Sequence, residues 1–130
     1  MHALRHVHQL LVPGGTLVDV HPVTEKEVVA GGRPIGVIEE PDWISVDLPN
    51  AEARLDAEIR AGLYALEAEV EFDVLEHFEL VEHLLEAQAE ILAPQPALVR
   101  RIRAATPPLL TRERFVLRRL RARRPEAKPT

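Results

Sequence analysis

The chain has 130 residues, 46% of them hydrophobic, and a net charge of -5, enough to build one modest core. It contains no Cys, which excludes a disulfide frame, a thiolate metal site and a Cys nucleophile and suits a reducing cytoplasm. No continuous apolar h-region opens the chain and nowhere do about eighteen apolar residues run together, so a soluble protein without a membrane partner is expected.

In chain order, Ala3, Leu4, Val7, Leu10 and Leu11 recur at helical spacing, the stripe of an amphipathic helix. Pro13 stops it, and Gly14 and Gly15 allow the tight reversal that follows. Thr16 to Val20 reads Thr-Leu-Val-Asp-Val, apolar on both faces like a strand covered by helices within a parallel sheet. Residues 25–40 form two β-prone runs around Gly31, Gly32, Arg33 and Pro34, the pattern of a hairpin.

Asn50 is the expected N-cap of a longer helix carrying Leu55, Ile59, Leu63, Leu66 and Val70, with Glu52, Asp56, Glu58 and Glu67 on a solvated face. The period then changes to two, predicting a strand over about residues 70–77. A helix through Leu80, Val81, Leu84, Leu85, Ile91 and Leu92 ends at Pro94, and a shorter one runs from near Pro96 to before Pro107. A final strand holds Phe115, Val116, Leu117 and Leu120 among Arg residues, and residues 123–130 read as a disordered tail.

Charge is unevenly distributed. Residues 97–130 carry ten Arg and Lys128 against Glu113 and Glu126, whereas acids dominate the preceding part. Phe115 is the single aromatic residue of that basic stretch, so base stacking and a nucleic-acid partner are not indicated. Pairing of the Arg residues with Glu71, Asp73 and Glu76 on a neighbouring strand is the simpler expectation.

The segment HALRHVHQLLVPGGTLVDVHP resembles the late segment of class I S-adenosylmethionine-dependent methyltransferases, where a helix ending in Pro-Gly-Gly runs into a Val-rich strand. FDVLEHFELVEHLLE and PALVRRIRAATPPLLTRERFVLRRLR look like the closing portion of that domain. The resemblance covers residues 1 to about 122 and implies an α/β fold: an incomplete Rossmann-like methyltransferase sheet. Three main strands are expected in the order first-last-middle, the final one antiparallel, with helices and an inserted hairpin over residues 25–40. It also implies a carboxyl-terminal half of such a domain, since the strands that carry the cofactor-binding glycine loop have no counterpart.

Gly14-Gly15 follows a helix and Gly31-Gly32 lies within a hairpin, so neither offers a strand-turn-helix cradle for phosphate or nucleotide. S-adenosylmethionine is therefore implied by resemblance alone, no residue is assigned to it, and the isolated chain is expected to bind none. Methyl transfer to an unknown acceptor is the implied parental activity, with the isolated chain expected to be inactive. The alternative is a non-enzymatic, self-associating interaction module. Either reading leaves an edge to fill, by a second copy of the chain, as in a dimer, or by a missing amino-terminal half.

One side chain is singled out as substrate-facing. His21 sits at the carboxyl end of the Thr16 strand, where ligands of open α/β sheets gather, and an imidazole titrates near neutral pH. A His that caps the strand end and meets water is the plainer alternative, and Trp43 reads as a packed anchor rather than a stacking platform. His2, His6 and His8, and the His77, Glu79 and His83 set, lack the companion ligands of a known metal motif. Ser45, the sole Ser, lacks nucleophile-elbow glycines.

Overall fold

In a computed structural model, residues 2–40 and 42–124 are described; the expected disordered tail lies largely outside them, at residues 125–130. The order is α1 (His2–Leu10), β1 (Thr16–Pro22), β2 (Lys26–Ala30), β3 (Arg33–Ile38), a π-helical turn (Trp43–Asp47), α2 (Leu48–Arg60), β4 (Tyr64–Phe78), α3 (Val81–Ala87), α4 (Ala89–Leu92), α5 (Pro96–Ala104) and β5 (Leu109–Ala122). The strands form a five-stranded sheet in which β5 pairs with β1, β2 and β4, and β2 pairs with β3.

This sheet corrects the expected architecture. Its pairings are antiparallel, so it is not a parallel Rossmann-like sheet. The hairpin is no excursion either, because β2 enters the sheet with Glu27 opposite Arg112 and Ala30 opposite Leu109. The physical reason is the length of β5, whose 14 residues supply hydrogen-bonding positions for more than one partner. A parallel neighbour would require a crossover connection returning the chain to the same end of the sheet.

The described chain divides into two compact units. One comprises residues 2–21, 45–71 and 116–124. Its core is Leu55, Tyr64, Leu120 and Ala122, against which Leu4, Leu11, Leu17, Ile59 and Leu63 pack. The stripe on α1 thus supplies Leu4, and the Pro-Gly-Gly turn delivers the chain to the sheet. There Gly14, at φ +79°, donates its N–H to Ala122 O at 3.0 Å, and Gly15 O accepts from Ala122 N at 2.8 Å. Tyr64 Oη donates to Leu4 O at 2.7 Å, and its ring meets the His8 ring edge-on with centroids 5.3 Å apart. Arg5 Nε reaches the buried Glu58 Oε1 at 3.1 Å, a further tie between α1 and α2.

The other unit comprises residues 22–40, 42–44 and 72–115. Val28, Ile38, Phe78, Leu84, Leu92, Leu98, Ile102 and Leu109 form its core. Gly36 lets Leu98 approach the hairpin: a Cβ there would lie 2.5 Å from Leu98 Cδ1. Gly31 and Gly32, both at positive φ, make the hairpin turn. Arg112 pairs with Glu27 across the β2–β5 ladder, and Phe72 stacks on Phe115 at 6.0 Å.

Several boundaries differ from the sequence reading. Helix α2 starts at Leu48, with Pro49 in its first turn, so Asn50 is not its cap. It ends at Arg60, and Gly62, at φ +83°, turns the chain into a 15-residue strand beginning at Tyr64. Leu66 and Val70 therefore belong to β4 rather than to a helix. The helix expected over residues 80–93 is interrupted at Gln88. Most consequentially, β1 is not covered on both faces: Leu17, Asp19 and His21 are partly buried, but Val18 and Val20 are 55% and 48% exposed.

Candidate functional site

A dense polar grouping of the first unit lies where the inward face of β1 meets α2 and β5. Alternation places Asp19 and His21 on the same face of β1 as Leu17. In β5, Arg118 shares its face with the buried Val116 and Leu120. Glu52 enters from α2 and Glu69 from β4.

His21 is held at both nitrogens, with Nδ1 3.0 Å from Asp19 Oδ2 and Nε2 3.1 Å from Glu52 Oε1. The Arg118 guanidinium, 13% exposed, lies 2.8 Å from Glu52 through Nη1 and 3.0 Å from Glu69 through Nε. Asp19 is a longer partner at 3.9 Å. The 2.8 Å contact is close in distance but poorly directed: Nη1 is buried and has no aligned hydrogen-bond acceptor.

The electrostatics follow from this arrangement. Burial pushes the Glu52 carboxyl up, but Arg118 and His21 beside it more than offset that and leave it below the ordinary carboxylate range. Burial disfavours the charged Arg118, yet Glu52 and Glu69 outweigh it and hold the guanidinium charged more firmly than usual. Tyr64 is raised by burial and by the nearby Glu58 carboxylate.

A cavity of about 170 Å³ adjoins this network. Leu4, Leu17, Ala51 and Leu55 form its apolar wall, and Asp19, His21 and Arg118 its polar end. His21, the predicted substrate-facing residue, therefore does border a cavity, although both ring nitrogens are already engaged with carboxylates. A His in that position orients and is oriented; a general base needs one nitrogen directed at the proton it removes.

The remaining sequence candidates do not assemble into sites. Trp43 begins the π-helical turn and is half-buried, with its Nε1 buried and unpartnered. Among the described residues, no group of three His, Asp or Glu side chains is arranged to hold a metal ion. Gly14 and Gly15 spend their N–H groups on Ala122 O and Val12 O, so that turn presents no donors to a phosphate. The basic strand meets the acidic one as expected: Arg114 pairs with Asp73, Arg118 with Glu69 and Arg121 with Glu67.

Sequence reasoning passed over Arg118, Glu52 and Glu69. A signal for Arg118 existed, since Val116, Arg118 and Leu120 alternate in register and put the Arg on the apolar face. Glu52 gave none, being one of many acids on a helix. No family model, curated protein or solved structure matches the chain. Among the described residues, no helix is long and apolar enough to cross a membrane.

Proposed function

We propose that this chain is a self-associating interaction module in which the free edge of β1 pairs with β1 of a second copy. The observation that carries this reading is the state of that edge. β1 has β5 as its paired neighbour among the described strands, and it exposes Val18 and Val20 by 55% and 48%. A margin of this kind offers unpaired N–H and C=O groups beside apolar side chains and templates strand addition unless something blocks it.

The β3 margin carries a block in Arg33 and Pro34, and β4 intersperses its exposed Leu66, Val70, Val74 and Leu75 with Glu67, Glu69, Glu71 and Asp73. On β1 the single charged carboxylate, Asp19, is turned inward and bound to His21. Pairing about a twofold axis at Asp19 sets Val18 opposite Val20 of the second copy and the reverse, β-branched pairs of the type that stabilise antiparallel ladders. The same short segment is thus its own complement, which favours a second copy over an unrelated strand. Methyl transfer, implied by the sequence resemblance, draws no support from an antiparallel sheet.

Light scattering coupled to size-exclusion chromatography tests the proposal. The chain is expected to run as a dimer at micromolar concentration and Val20→Glu as a monomer with an unchanged far-ultraviolet circular dichroism spectrum, because Val20 is exposed in the single chain. A wild-type chain that stays monomeric at every concentration, or a Val20→Glu variant that still dimerises, overturns it.

A further inference from the structure

We infer that the cavity bounded by Leu17, Ala51, Leu55 and Arg118 is a binding site for a small neutral molecule with an apolar body and a carboxamide head. The inference does not rest on self-association. It rests on a cavity whose two ends demand different chemistry and on the buried Arg118 Nη1, whose near acceptor, Glu52 at 2.8 Å, is poorly directed.

The size fits a compact body. At about 170 Å³, the space is comparable to the apolar cavity of roughly 150 Å³ that accepts benzene in an engineered protein core. Leu4, Leu17 and Leu55 supply a wall with no hydrogen-bonding group, suited to a ring or a short branched chain. The polar end is specific. Arg118 Nη1 is buried and lies 2.8 Å from Glu52 in a poorly directed contact, so an occupant that brings an oxygen there gives it a better-aligned acceptor. Asp19, at the same end, has a carboxylate one-third exposed and can accept an N–H.

Charge narrows the head group further. Asp19, Glu52 and Glu69 surround one guanidinium, so a carboxylate ligand enters a site already richer in negative charge. An ammonium ligand has no acceptor oxygen to offer Arg118. A primary carboxamide supplies the carbonyl oxygen for Arg118 and the N–H for Asp19 with no net charge, and its planar head matches the fork of the guanidinium.

The probe is benzamide, with benzoate and benzylamine as charged counterparts of the same body, titrated into the full isotope-labelled chain and followed by amide chemical shifts. Benzamide is expected to bind saturably, moving the resonances of Leu17, Ala51 and Leu55, with both charged analogues weaker by about tenfold or more. Ala51→Leu, at an exposed position of α2 that lines the cavity, is expected to abolish the shifts without lowering the melting temperature. Arg118→Met is expected to erase the preference for benzamide over benzylamine, because it removes the donor and leaves the Asp19, Glu52 and Glu69 carboxylates without their cation. The Val20→Glu variant, altered outside the cavity lining, is expected to bind as the wild type does and separates this inference from the dimer. Absence of saturation at tens of millimolar, benzoate binding equal to benzamide, or full binding by Ala51→Leu overturns it.

Discussion

Arg118 and Glu52 approach to 2.8 Å in the first unit, with the guanidinium 13% exposed and the carboxylate 29% exposed. The pair is neither a surface contact nor a fully dry one, and Glu69 and Asp19 share the same cation. Removing the guanidinium therefore costs more than breaking an exposed ion pair, because it leaves carboxylates facing one another across a partly desolvated space. Arg118→Met is expected to lower unfolding free energy by about 1–3 kcal/mol, between the surface and buried extremes. Urea denaturation of the variant against the wild type measures it, and a change within error would show the network to be energetically idle.

Acid sensitivity follows from two glutamates displaced in opposite directions. Glu52 is held below the ordinary carboxylate value, burial opposing and Arg118 and His21 prevailing. A depressed carboxyl contributes stability that is present above its unfolded-state value and is lost as pH falls through its folded-state value. Glu113 is raised by burial, only partly relieved by Lys26. Its favourable contribution is complete below the unfolded-state value and disappears as pH rises through the raised one. Glu52→Gln is thus expected to flatten the loss of stability on acidification, whereas Glu113→Gln gains on the wild type as pH rises towards neutrality. Melting temperatures of the three proteins across the acidic range check both signs.

Helix α1 is held to the first unit by a hydroxyl as well as by Leu4, since Tyr64 Oη donates to Leu4 O at 2.7 Å. Tyr64→Phe keeps the ring in the core and deletes the donor. The expected cost is about 0.5–1.5 kcal/mol, the net worth of one hydrogen bond, with faster amide exchange concentrated in α1. Uniform acceleration across the unit would show that the bond stabilises the whole unit rather than docking the helix.

The elements that were legible in the sequence are those whose period and punctuation agree. The Leu stripe, Pro13 and the Gly pair marked the end of α1 and the start of β1, and Gly31-Gly32 marked the hairpin. The pairing of β2 was not legible, because nothing local to Val28 states that it faces Thr111 across a ladder; that follows from the length and position of β5. The candidate site was half legible. His21 was identifiable from its place at a strand end, and Asp19 shares its face by alternation, but Glu52 looks like any solvated acid until α2 is laid beside β1.

The stretch from Leu63 to Val70 fits a helical and a strand period at once. Leu63, Leu66 and Val70 satisfy a helical spacing, while Leu66, Ala68 and Val70 satisfy a strand's alternation equally well. The decision falls to Gly62, which at φ +83° ends the helical path and has no atom outside its immediate neighbours within 4 Å of where a Cβ would stand. Any loss on substitution there is conformational rather than steric. Gly62→Ala is expected to cost about 1–2 kcal/mol, the penalty for an L side chain in the left-handed region. Gly62→Asn is expected to cost less, since its short polar side chain tolerates that region. Denaturant midpoints of the two variants decide the matter: equal losses would show that Gly62 does not set the transition from α2 to β4, and an Ala variant as stable as the wild type would show that the chain can leave the helix without a left-handed residue.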